Sequence, residues 1–407
     1  MKKIAFILVA LCLWSCNNDD NPFETVTVAI PLTMSKAEFR SSVVIESPKP
    51  ILNVGKIYAY QNYIFINEKF KGVHIIDNSD PLQPYKTAFI SIPGNEDISV
   101  KNDFLFADSA VDLVVFDISD FNAISEVNRL QEVFSTYDYQ IPDEATEADF
   151  STVNFNTDVI VGWTLVEEQR DVQQSDDEVN FDSGSISTGD VGVGGSLARF
   201  QIVEDYLYTV GINEMTVFNI TNLSQPALVH TDYAGWNIET MFHADGYLYL
   251  GGSNGMFIHS IENPAFPQYI SEFLHWEGCD PVVVDGDYAY LTLRGGNDCG
   301  QEFSVLEVID ISNKFSPTLV DQHMLDNPYG LGFRGNSLFV CDGTSGVKVF
   351  DKTNPLNMQI VAAFPNVQAK DVIPLNDKLL MISDNALYQY EYDTENSIVL
   401  LSTLILN

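Results

Sequence analysis

Of 407 residues, 57 are Asp or Glu, against 20 Lys or Arg and 6 His, so the chemistry within reach is first of all carboxylate chemistry. Two carboxylates flanking a bond can hydrolyse a glycoside, but their separation in space is not written in sequence, and so many acids make chance pairs expected. Carboxylate clusters also take hard cations, which makes Ca2+ the one candidate metal, although no Asp-x-Asp-x-Asp-Gly loop of the EF-hand kind is present. His74, His230, His243, His259, His275 and His323 are scattered, and no His-Glu-x-x-His, Gly-x-Ser-x-Gly or phosphate loop joins them. The expectation is a non-catalytic chain without a cofactor, and a hydrolase or lyase acting on extracellular polysaccharide is the alternative. A formal net charge of −37 repels phosphate backbones, so nucleic acid is not an expected partner. The same charge also serves plain solubility.

A second set of candidates is defined by spacing. Lys56, Asp97, Arg199, Glu239, Asp280, Tyr329 and Lys370-Asp371 each precede a recurring aromatic phrase by six to eight residues. Residues in one phase of a repeat come together in space. This mixed ring suits an ion or a small polar ligand, or it encloses only water. Trp236, Trp276 and Arg294 offer flat surfaces for a sugar, or simple packing.

The elements that must position these residues follow from the phrase itself. It occurs as Asn62-Tyr63-Ile64-Phe65, Asp103-Phe104-Leu105-Phe106, Asp205-Tyr206-Leu207-Tyr208, Gly246-Tyr247-Leu248-Tyr249 and Asp287-Tyr288-Ala289-Tyr290. Weaker copies stand at Asn336-Ser337-Leu338-Phe339 and Asp377-Lys378-Leu379-Leu380. From Tyr63 onward the gaps are 41, 102, 41, 41, 49 and 41 residues. A second β-branched run follows each copy, such as Val114-Val115-Phe116-Asp117, and then Asp, Asn and Pro turn residues. About four short strands per unit is the size of a propeller blade, which buries its faces only by stacking on neighbours. The fold class expected is all-β, a seven-bladed β-propeller of four-stranded antiparallel blades. Its blades are expected near 51–93, 94–195, 196–234, 235–277, 278–326, 327–366 and 367–407. A β-sandwich also holds many even strands but does not explain a fixed phase.

Phe70-Lys71-Gly72-Val73-His74-Ile75-Ile76-Asp77-Asn78-Ser79-Asp80-Pro81 resembles the LVIVD repeat of β-propeller surface lipoproteins from Bacteroidetes-type bacteria, as does Glu307-Val308-Ile309-Asp310-Ile311-Ser312-Asn313. The resemblance runs over roughly 50–407 and departs at Tyr392-Asp393-Thr394-Glu395, which lacks the proline turn. It implies a propeller and a surface location, and it brings no catalytic residues.

The amino terminus agrees with export. Met1-Lys2-Lys3 is basic, residues 4–14 are apolar but too few to span a bilayer, and Leu13-Trp14-Ser15-Cys16 has the lipobox pattern. A signal peptide at 1–15, a lipid on Cys16 and an acidic tether at 16–23 are expected, ahead of a domain over 24–407. The anchor would seat the protein on the outer membrane, exposed at the cell surface, with a glycan or protein as partner.

Export also permits disulfides, and Cys279 with Cys299 would close a long hairpin, contributing roughly 3 kcal/mol. Cys341 reads as a buried strand residue. The 102-residue gap places an acidic insertion at about 135–195, in which Val159–Val166 is expected as an outer strand of the second blade. Val191-Gly192-Val193-Gly194-Gly195 is expected as a flexible return. Either Val26–Ile30 or Val43–Ile45 is expected to complete the last blade. The insertion and the 294–299 hairpin are the expected recognition loops.

Overall fold

The computed structural model describes residues 23–135, 141–142, 145–171, 193–275, 281–295, 303–394 and 397–407. Among them, strands form seven antiparallel units of four consecutive strands, plus one three-stranded sheet. The first unit comprises Val54–Tyr60, Tyr63–Glu68, Gly72–Asp77 and Tyr85–Ser91. The leading strands of the next six are Ile98–Lys101, Phe200–Val203, Ile238–Ala244, Val282–Asp285, Leu331–Arg334 and Asp371–Pro374. The fold is all-β and propeller-like, with units that follow the phase of the repeat.

The recurring phrase is the second strand of each unit, and its first residue belongs to the preceding hairpin turn. Asn102 and Asp103 take φ of 46° and 63°, and Asp245 and Gly246 take 50° and 79°. Two-residue hairpins whose twist matches the strands need positive φ at both positions, which Asn, Asp and Gly tolerate best. The Asp ending the third strand holds the next turn. Asp117 Oδ1 accepts from Ser119 N at 2.9 Å, and Asp310 and Asp351 do the same with Ser312 and Thr353. The third and fourth strands of every unit then pair with a register shift, as between Ile75 and Ile76 or Val308 and Ile309, which strengthens the twist.

Apolar residues of consecutive units interdigitate. Phe65 and Ile75 share a cluster with Leu105 and Phe116; Phe106 and Val115 share the next with Leu207 and Phe218. The series continues unit by unit. Its last member joins Ile373 and Leu380 to Ile57 and Ile64 of the first unit.

Two expectations about the N-terminal strands change. Phe23–Ser35 pairs antiparallel with Asp158–Asp171 in the three-stranded sheet, so the latter is not an outer strand of the second unit. Val44–Glu46 pairs with Tyr85–Ser91, and therefore extends the first unit, not the last. Between them a short helix, Lys36–Ser41, is capped by Ser35 Oγ accepting from Glu38 N at 3.3 Å. Its Phe39 is fully buried against Val111 and Val159, while Arg40 holds the buried Asp112 carboxylate at 2.8 and 3.1 Å. The strand pair is thereby fixed over the second unit.

Candidate functional site

The described residues predicted as a ring all stand on or next to the leading strands of their units. Lys56 Nζ lies 3.4 Å from Asp97 Oδ2, and that oxygen also accepts from the backbone N–H groups of Arg199 and, at 3.1 Å, Phe200. Arg199 in turn reaches Glu96 at 3.2 Å. Burial pushes the Lys56 ammonium down from the usual lysine range, opposed by the charge of Asp97. Asp371 adjoins this group, near enough for the Lys56 charge to pull its carboxyl pKa down against burial. Tyr329 follows through its neighbour Gly330, whose N–H donates to Lys370 O at 2.9 Å; its ring lies 4.7 Å below the Arg294 guanidinium and its hydroxyl accepts from Asn327 at 3.3 Å. Glu239 is buried on the leading strand of the fourth unit. Trp236 is largely exposed. Cys16, Cys279, Cys299, Asp280 and Trp276 lie outside the described residues, as do much of the acidic insertion, the signal segment and nearly all of the tether.

The glycine-rich return departs from the flexible linker expected of it. Val193 and Gly194 pair with Ala59 and Tyr58 on the leading strand of the first unit, and Gly195 N donates to Ile57 O at 3.1 Å. Ser196 N and Oγ both donate to Asp371 Oδ1 at 3.2 Å, and Ser196 Oγ accepts from Leu331 N at 2.8 Å. One short segment is thus fastened to the leading strands of the first, sixth and seventh units before Arg199 meets Asp97 of the second. Glycine is required at 195 because a Cβ there would fall 1.6 Å from Asp371 Oδ2. Asp371 is itself 1 % exposed, and burial pushes its carboxyl up to about 7 against the hydrogen bonds from Val372 and Ser196.

A narrow cleft, partly open to solvent, lies between the second unit and the strand pair above it. Trp163 and Phe155 form its roof, Phe134 and Phe70 line its walls, and Glu96, Asp108 and Arg199 supply its polar groups. Asp108 Oδ1 accepts from Asn95 Nδ2 at 2.6 Å and from Glu96 N and Asp97 N at 2.9 Å. Burial first, then the neighbouring Glu96 charge, push its carboxyl up to about 7. Phe70 and Ala110, both on the cleft, hold φ of 62° and 47°, a left-handed backbone that side chains with a Cβ rarely take and that gathers at ligand sites. Aromatic faces beside an arginine and carboxylates suit a polar ring with apolar faces. Catalysis by Asp108 is less well served, because its oxygens are engaged by the 95–97 turn and Glu96 is held by Arg199. Among the described residues no group of three or more His, Cys, Asp or Glu is placed to hold a metal ion.

The sequence reading missed Trp163 and Asp108. Trp163 lies inside a run legible only as a strand, and Asp108 falls at the end of the strand that carries the phrase, out of phase with the predicted ring.

Comparison with known proteins bears on the fold. A protein from Lactobacillus plantarum superposes with a TM-score of 0.53 at 10 % identity, covering 80 % of this chain and 87 % of its own. The periplasmic gluconolactonase PpgL of Pseudomonas aeruginosa gives 0.51 at 12 % identity, covering 87 % and 97 %. The computationally designed protein Ika8 gives 0.51 at 10 %, covering 88 % and 89 %. At such identities the likeness is one of fold. No curated protein matches the sequence. Four stretches, 53–86, 95–131, 194–231 and 279–324, match the LVIVD repeat, so this all-β, propeller-like fold is assembled at least in part from LVIVD repeats.

Proposed function

We propose that this chain is a lipid-anchored binding module of the cell surface, built on a closed seven-bladed propeller, that recognises a glycan in the cleft beneath the strand pair. The cleft carries the proposal: Trp163, Phe155 and Phe134 offer faces for a pyranose, and Arg199, Glu96 and Asp108 offer donors and acceptors for its hydroxyls. Closure of the ring is supported by the apolar clusters shared between each unit and the next, and between the seventh and the first. Residues 193–199 then cross the propeller axis, which leaves recognition to the side cleft. The lipobox Leu13-Trp14-Ser15-Cys16 supports the anchor, and the acidic tether after it supports display from the outer membrane.

The Asp108 and Glu96 carboxylates favour one second reading, a glycoside hydrolase working in the same cleft. A glycan array followed by calorimetric titration tests both readings, with and without Ca2+. Saturable binding that Trp163→Ala weakens at least tenfold, with no released sugar, supports the binding module. Release of reducing ends that Asp108→Asn abolishes would replace it with the hydrolase. No binding to any glycan would leave the cleft without its proposed ligand.

A further inference from the structure

The seven units carry an internal control for their outer surface, because each ends in a strand at the same place. The first five of these strands all contain a charge: Lys86, Glu126 with Arg129, Asp232, Glu272 and Asp321. The last two contain none. Gln359–Phe364 reads QIVAAF and Ser397–Ile405 reads SIVLLSTLI. Ile360, Val361, Val399, Leu400 and Ile405 are each about half exposed or more, at 55, 60, 48, 51 and 58 %. The two strands belong to adjoining units and converge, since Phe364 and Ile398 pack on one apolar cluster.

A charge-free apolar edge is unusual on a chain of net charge −37, because exposed strand edges are ordinarily guarded by charges against pairing. The same fold shows how such an edge is covered, for Val44–Glu46 lies antiparallel along the outer strand of the first unit. Among the described residues nothing does so for the sixth and seventh units.

We infer that the outer strands of the sixth and seventh units form an isologous interface with a second copy of this chain. The occupant follows from charge. Two copies so acidic repel one another over most of their surfaces, and they can touch only where neither presents a charge. A cationic partner would be drawn instead to the acids everywhere else. Association of this kind strengthens with salt, as the screening length falls from about 10 Å at 0.1 M to about 3 Å at 1 M.

The test is sedimentation equilibrium of the chain from residue 17 onward, which contains the whole described fold, at both salt concentrations. The expected result is a monomer–dimer equilibrium that tightens in high salt and weakens at least tenfold in Val361→Lys/Leu400→Lys. Leu228→Lys, on the equally exposed outer strand of the third unit, leaves it unchanged. Both sites are exposed, so unchanged circular dichroism and Tm certify folding. A monomer under all conditions overturns the inference, as does a dimer indifferent to Val361→Lys/Leu400→Lys. Flotation with phosphatidylcholine vesicles by a chain that stays monomeric overturns it in favour of a lipid surface.

Discussion

Asp371 and Asp108 are both carboxyls pushed up to about 7, yet they sit in regions with opposite purposes. Asp371 is sealed between Gly195, Gly330 and Ser196, with the Lys56 charge nearby opposing the effect of burial. Asp108 is raised partly by a neighbouring charge, and its surroundings open into an aromatic cleft. The difference teaches that a perturbed carboxyl does not by itself mark a site. At the clasp the perturbation is a by-product of burial; at Asp108 it comes beside a cleft partly open to solvent.

The comparison can be broken most forcefully at Gly195. Gly195→Ala drives a methyl group into the Asp371 carboxylate, so thermal unfolding should show a loss of about 3 kcal/mol, at the upper end for overpacking. An unchanged Tm would mean that the segment is not clasped. Comparable in size is the pH dependence. The folded pKa of about 7 lies above the ordinary aspartate value of about 3.9, so the folded state keeps a proton that the unfolded chain releases. Stability contributed by that proton is complete below about pH 4 and is lost as pH rises towards 7, at most about 1.4 kcal/mol per pH unit for each group. Asp371→Asn and Asp108→Asn should each flatten denaturation-derived stability between pH 4 and 7 relative to the parent. Bound ligand should alter the slope that belongs to Asp108 and leave that of Asp371. An Asp108→Asn profile parallel to the parent would remove the cleft carboxyl from this account.

Smaller effects sharpen the contrast. Trp163→Ala should cost at least tenfold in glycan affinity while barely moving Tm, because the indole is only half-buried and meets Phe150 edge-on at 5.8 Å. A large drop in Tm with affinity intact would make Trp163 a packing residue. Smallest is Arg294→Ala, which removes the stack on Tyr329 for about 0.5–1 kcal/mol and should leave glycan binding untouched. Loss of binding there would restore the rim that spacing suggested.

The repeat was legible because it is local chemistry. Hairpins needing positive φ select Asn, Asp and Gly before the aromatic phrase, and the turn after the third strand selects Asp followed by Ser or Thr. These demands recur in most units and leave a period in the sequence. The clasp was not legible, because Gly195 is small for the sake of Asp371, roughly 175 residues away, and nothing local distinguishes a clasp from a linker. The roof was hidden for the same reason. Asp158–Asp171 has ordinary strand composition, and its partner Phe23–Ser35 is named only by a register that local periodicity does not carry. Phase grouped Lys56 correctly with Asp97 and Arg199. It could not show that Arg294 and Tyr329 would form a pair of their own.

Hydrogen–deuterium exchange with and without the array-selected glycan tests the central claim directly, because it reads cleft and axis in one experiment. The account predicts slow exchange at 193–199 in the free protein, unchanged by ligand, with new protection confined to 94–110 and 155–163. Rapid exchange at 193–199, or ligand protection there and at 371–374 in place of the cleft, would contradict it.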